Sequence, residues 1–171
     1  MIKTTEFSAF GRKYRTRQFP ATQGFAVINM GVSDAPPVVL LQHTESLGAD
    51  GKWYSLSVGT NIDALVFDAG GLLAPRAALA GVMNLVYEFS FKFLETWKGV
   101  RVPSRFQEGG SILSSSSVEP MISSLIQQET ATLRELEEYY SLEDAFIMFD
   151  IMTAKAVNES LAYEAASKKS K

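Results

Sequence analysis

Chemistry in a protein needs nucleophiles, proton carriers or metal ligands at workable spacing, and this chain offers few. Its 171 residues include one histidine, His43, and no cysteine. A thiolate nucleophile, a disulfide framework and a cysteine-based metal site are therefore excluded. His43 has no serine or cysteine setting that resembles a nucleophile motif, and one histidine does not make a histidine-rich metal site. It reads as a surface or capping residue. Gly70-Gly71 and Gly109-Gly110 lack the GxxxxGK(S/T) and GxGxxG arrangements that cradle phosphate, so they read as turns. Asp63 and Asp68 stand close enough in sequence to pair as carboxylates, but acid–base work requires one of them to be desolvated, and nothing nearby supplies that. The expectation is a non-enzymatic protein with no metal and no cofactor.

The elements that would position any site are clearer. From Arg76 to Trp97 the chain carries its longest segment of single helical period, with Leu79, Val82, Met83, Val86, Phe89 or Ser90, Phe93, Leu94 and Trp97 along one side. Pro75 fits the first turn and Gly99 the stop. Leu85, Tyr87 and Phe91 lie off the main stripe, so this central helix needs partners on more than one side. Those three residues are the candidate lining of an apolar partner-binding groove, the alternative being that they are core. A transmembrane reading fails because Glu88, Lys92 and Glu95 interrupt the run, each costing about 2.5–3.5 kcal/mol at mid-membrane.

Around that helix, residues 2–19 read as a β-hairpin turning near Gly11. Lys13, Arg15 and Arg17 point to one face, with Tyr14, Thr16 and Gln18 on the other. The three cations are either a solvated strand face or a basic patch for an acidic partner. Pro20 to Met30 is a helix stopped by Gly31, with Ala21, Phe25 and Ile28 inward. Val38 to His43 and Ile62 to Phe67 are short apolar runs whose period does not separate helix from strand, whereas Lys52 to Val58 alternates like a strand. Helical period returns at Ser117, with a stripe of Met121, Ile122, Leu125 and Ile126. A short helix follows through Leu133, Leu136 and Tyr140. Ser141 and Asp144 then form a capping-box-like start to a last helix reaching about Ala166. No internal repeat and no coiled-coil heptad is evident.

These elements predict an α+β fold, mostly α: an N-terminal β-hairpin, a helical domain with a long central helix, and a C-terminal helical segment. The expected division is 1–99 for hairpin and helical core, 100–117 for a serine-rich linker, and 118–171 for the helical segment with a frayed tail. The composition, 46% hydrophobic and 20% charged, is that of a globular domain without a membrane span. The N-terminus lacks the apolar core of a secretory signal, which predicts a cytoplasmic location. A net charge of −3 argues against nucleic-acid binding. The first 19 residues are basic and residues 129–144 are acidic; if these ends meet between copies, a head-to-tail contact would assemble homo-oligomeric rings or filaments.

The run TATLRELEEYYSLEDAFIMFDIMTAKAVNESLA resembles the C-terminal part of tail assembly chaperones, short proteins encoded beside the tape-measure gene of tailed bacteriophages. The shared pattern is a small polar start, a helix, an aromatic pair, a Leu-Glu-Asp start and a helix ending near Asn-Glu. It stands here at Thr130, Leu133, Tyr139-Tyr140, Leu142-Glu143-Asp144 and Asn158-Glu159. A short strand, Gly11, Tyr14 and Pro20-Ala21 opening a helix are similar to the start of such proteins. The resemblance implies a chaperone in the host cytoplasm that binds the tape-measure protein and helps recruit tail-tube subunits during virion assembly. The alternative function is a structural virion subunit, such as a tail completion or neck protein. The resemblance also implies a second, longer product made by ribosomal slippage, with the Lys168-Lys169 doublet as its expected site; the alternative is that these lysines complement the helix dipole and keep the tail soluble.

Overall fold

The computed structural model describes residues 1–104 and 118–169. Thr4–Ala9 (β1) and Arg12–Arg17 (β2) form the expected hairpin. Phe10 and Gly11 both take positive φ, 55° and 72°, as the two central residues of a type I′ turn do. The Phe10 ring seals the turn against the central helix so closely that a Cβ on Gly81 would come within 2.4 Å of it. β2 continues antiparallel to Thr44–Leu47 (β3), which pairs with Trp53–Ser55 (β4), so the hairpin is half of a four-stranded sheet in the order β1-β2-β3-β4. β3 carries no apolar alternation. Its inward residues are Thr44 and Ser46, both fully buried, and the Thr44 hydroxyl lies 2.9 Å from that of Thr16 across the strands.

The helices follow in chain order: Ala21–Met30 (α1), Pro37–Leu40 (α2), Gly59–Leu65 (α3), Pro75–Phe91 (α4), Phe93–Thr96 (α5), Pro120–Gln127 (α6), Leu133–Glu138 (α7) and Leu142–Lys169 (α8). The two ambiguous apolar runs, Val38 to His43 and Ile62 to Phe67, thus begin inside helices, α2 and α3 respectively. The central helix has one interruption: α4 ends at Phe91, Lys92 keeps helical dihedrals (φ −58°, ψ −28°), and α5 carries the run to Thr96. The chain leaves helical geometry at Trp97, where the period ends, and the indole N–H donates to Asp150 at 2.8 Å while its ring meets Phe146 edge-on at 4.6 Å. α7 opens with a full capping box between Thr132 and Glu135, and Leu133, expected inward, is 43% exposed.

Residues after 118 return to the first third of the chain. Ala21 N–H donates to Tyr140 O at 2.9 Å, Leu142 N–H to Phe19 O at 3.1 Å and Ile2 N–H to Tyr139 O at 2.9 Å. Phe25 of α1 stacks on Phe146 of α8 at 5.4 Å. Phe19, Val82, Val86, Phe91, Leu125, Leu136 and Leu142 belong to one buried cluster, so sheet, central helix and C-terminal helices share a core. The fold is α+β and mostly α. Of the serine-rich linker, residues 105–117 lie outside the described residues, as do Gly109-Gly110 and the last two residues of the tail.

Candidate functional site

The basic strand face has the expected alternation: Tyr14, Thr16 and Gln18 are buried, while Lys13 and Arg17 are exposed. One of its three charges is neutralised locally. Arg15 is ion-paired with Glu45 on β3 and its guanidinium lies 4.6 Å from the centre of the Trp53 ring. Arg17 donates from Nε to His43 Nδ1 at 3.3 Å, and the other ring nitrogen then carries the proton that bonds Gln23 Oε1 at 2.7 Å. Two of the three cations, Arg15 and Arg17, therefore make contacts with Glu45, Trp53 and His43, while Lys13 is exposed. The basic beginning and the acidic later segment also meet within one chain. The N-terminal ammonium pairs with Asp144, and Lys3 Nζ lies 3.1 Å from Glu143. These contacts use, inside the fold, charges that a head-to-tail association would have needed.

His43 is half-buried against Phe19, with ring centres 5.0 Å apart. Burial, reinforced by the Arg17 charge, lowers its pKa from the usual 6.5 to about 4. The neutral ring favours the folded state. Its contribution to stability is therefore complete above pH 6.5 and lost between 6.5 and about 4, as the unfolded chain takes up the proton first. Denaturant titrations should show stability falling across that window, and His43→Gln should flatten the fall. An NMR titration placing the His43 midpoint near 6.5 would contradict this assignment.

The two aspartates do not form an acid–base pair. Asp68 accepts from the backbone N–H groups of Gly70, Leu72 and Leu73 at 3.0, 2.7 and 3.0 Å. Those bonds hold its carboxyl below the usual range and fix it as an ionised loop clamp. Asp63 is exposed on α3. Tyr14 is buried, its hydroxyl pKa raised by that burial, and it sits in the core stacked on Phe7 at 5.3 Å. Among the described residues no cluster of three histidine, cysteine or acidic side chains is placed to hold a metal ion, and no helix is long and apolar enough to cross a membrane.

What remains is apolar surface, and here the central helix divides its three off-stripe residues. Phe91 is core, with no exposure, packed at 5.1 Å on Phe19 and at 6.2 Å on Tyr87. It is not available to a partner. Leu85 is 38% exposed but does not line the groove beside α4. Tyr87 does line it: this groove, of about 570 Å³, lies where Ala80, Met83 and Asn84 of α4 face Val32 and Leu40. Ala80, Met83, Asn84 and Tyr87 follow the three-and-four spacing of one helix face. The Tyr87 hydroxyl donates to Glu95 at 3.1 Å, which holds the ring at the groove wall. Comparison with family models, curated proteins and solved structures returned no match.

The geometry therefore stands on its own. A second concavity of about 650 Å³ lies between α6 and α8, with Phe149 and Met152 in its wall but Gln127, Gln128, Lys155 and Glu159 around them. The groove on α4 is the more uniformly apolar, with Ser33 and Asn84 its polar members. Sequence periodicity could identify the α4 side of this groove, because Met83 and Tyr87 lie on one helix. The opposite wall comes from residues some fifty positions earlier, whose approach only the tertiary fold creates.

Proposed function

We propose that this chain is a non-enzymatic tail assembly chaperone that holds an apolar, helical stretch of the tape-measure protein in the groove beside α4. The observation that carries this reading is the groove itself. It is open, walled by Val32, Leu40, Met83, Tyr87 and Leu94, and suited to the spaced apolar anchors of an amphipathic helix. The resemblance of the C-terminal run supplies the client: an elongated helical protein exposing apolar seams until tail-tube subunits surround it. Covering such seams needs contact area and no reactive group.

The experiment looks for a tape-measure gene beside the one for this chain, its absence overturning the reading, and then co-expresses the two products and determines the composition of finished particles. The expected result is that the client becomes soluble only with the chaperone, and that the chaperone is missing from purified tails. A client equally soluble without it would overturn the reading. Retention of the chain in purified tails at stoichiometric amounts would instead identify a structural virion subunit.

A further inference from the structure

The outer face of α8 carries a second apolar stripe. We infer that it is a coiled-coil seam through which two copies of this chain associate in parallel and in register. The inward face of the helix holds Leu142, Ala145 and Phe146, all buried. On the opposite side stand Ile147, Ile151, Ala154, Asn158, Leu161 and Ala165, alternating in steps of four and three. Ile147, Ile151 and Leu161 are 52%, 64% and 37% exposed, and Asn158 and Ala165 are exposed too. The 3.5-residue period is the spacing of a left-handed coiled coil. Because the inward stripe shares the same helix, the whole of α8 looks apolar on two sides, and the heptads emerge only once burial separates the faces.

Charge selects both partner and direction. With Ile151, Asn158 and Ala165 at the a positions, Asp150 falls at g and Lys155 at e. A parallel pair of identical chains sets g of one helix against the following e of the other. That juxtaposes Asp150 with Lys155 of the second copy. An antiparallel pair would set g against g and e against e, and would part these two charges. The seam is thus complementary to itself in one orientation.

Asp150 accepts one bond per oxygen, from Trp97 Nε1 at 2.8 Å and Val100 N at 3.2 Å, which leaves lone pairs for a lysine ammonium. Lys155 is 76% exposed at its side chain, and its contact with Glu159 is long, 4.0 Å. Asn158 sits alone as the polar a residue, the position at which a buried amide fixes register and favours one oligomeric state at some expense of stability. The 28 residues of α8 span about 42 Å at 1.5 Å per residue, long enough for three heptads.

The test uses the full chain and its lack of cysteine. Sedimentation equilibrium of the wild type should show a monomer–dimer equilibrium. Ile151→Asp should raise the dissociation constant by roughly a hundredfold, with an unchanged circular dichroism spectrum. Ile151→Cys and Leu161→Cys, each made alone, should form disulfide-linked dimers on oxidation, because parallel register sets each position against itself. A wild type that stays monomeric at every concentration would overturn the inference. So would a dimer that cross-links only when the two cysteine variants are mixed, since that is the antiparallel outcome.

Discussion

Phe91→Ala is expected to lower the unfolding free energy by about 3–5 kcal/mol, the range for removing a large aromatic from a packed core. Phe91 has no exposed surface and joins the sheet side to the central helix, touching Phe19 on one side and Tyr87 on the other. Urea unfolding followed by circular dichroism measures the change, and a loss below about 1 kcal/mol would show that the site is not part of the core. Phe91→Glu should fail to fold, because it would bury an unpaired charge. Substitutions that probe the groove therefore belong at Tyr87 and Asn84.

Gly24→Val should be nearly as damaging. α1 crosses the start of α8 at Gly24, where a Cβ would lie 2.8 Å from Leu142 Cβ and 3.0 and 3.1 Å from its two methyl carbons. Leu142 Cβ is fixed to the backbone of α8, so the helices have to separate. Overpacking of this kind costs about 1–3 kcal/mol, occasionally more. Gly24→Ala separates two effects. Alanine favours a helix interior by about 1 kcal/mol over glycine, so a net loss of stability on that substitution would mean that the close crossing outweighs propensity. A gain would show that the helices part without cost.

Where local pattern and tertiary contact agree, the fold was legible in the sequence. The hairpin followed from alternation around Gly11, α1 from Pro20 and Gly31, and α8 from the Ser141 and Asp144 box, in which Ser141 N–H donates to Asp144 at 2.9 Å. β3 was not legible, because its inward residues are threonine and serine, and the hydroxyl of Thr44 finds its partner, Thr16, on a strand nearly thirty residues away. The contact that closes the end of α5 was hidden for a similar reason. Nothing in FKFLETW announces that Trp97 will reach Asp150. Of the candidate site, Tyr87 stood out by its helical position, while Phe91 looked equivalent and proved to be core. Helical angle alone does not say how many sides of a helix are covered. The basic strand was visible as a pattern of charge, but its neutralisation by Glu45 and its coupling to His43 depend on β3.

The central claim is that the groove beside α4 takes an apolar helical segment of the tape-measure protein. The most direct measurement is calorimetric titration of the full chain with purified tape-measure protein, comparing wild type with Asn84→Arg and Tyr87→Glu, each first shown to unfold cooperatively. Asn84 and Tyr87 line the groove, while Phe91 beneath them carries the packing. Binding by the wild type, weakened by roughly tenfold or more in both variants as expected for an obstructed anchor pocket, is the predicted result. Equal affinity in all three proteins would contradict the account.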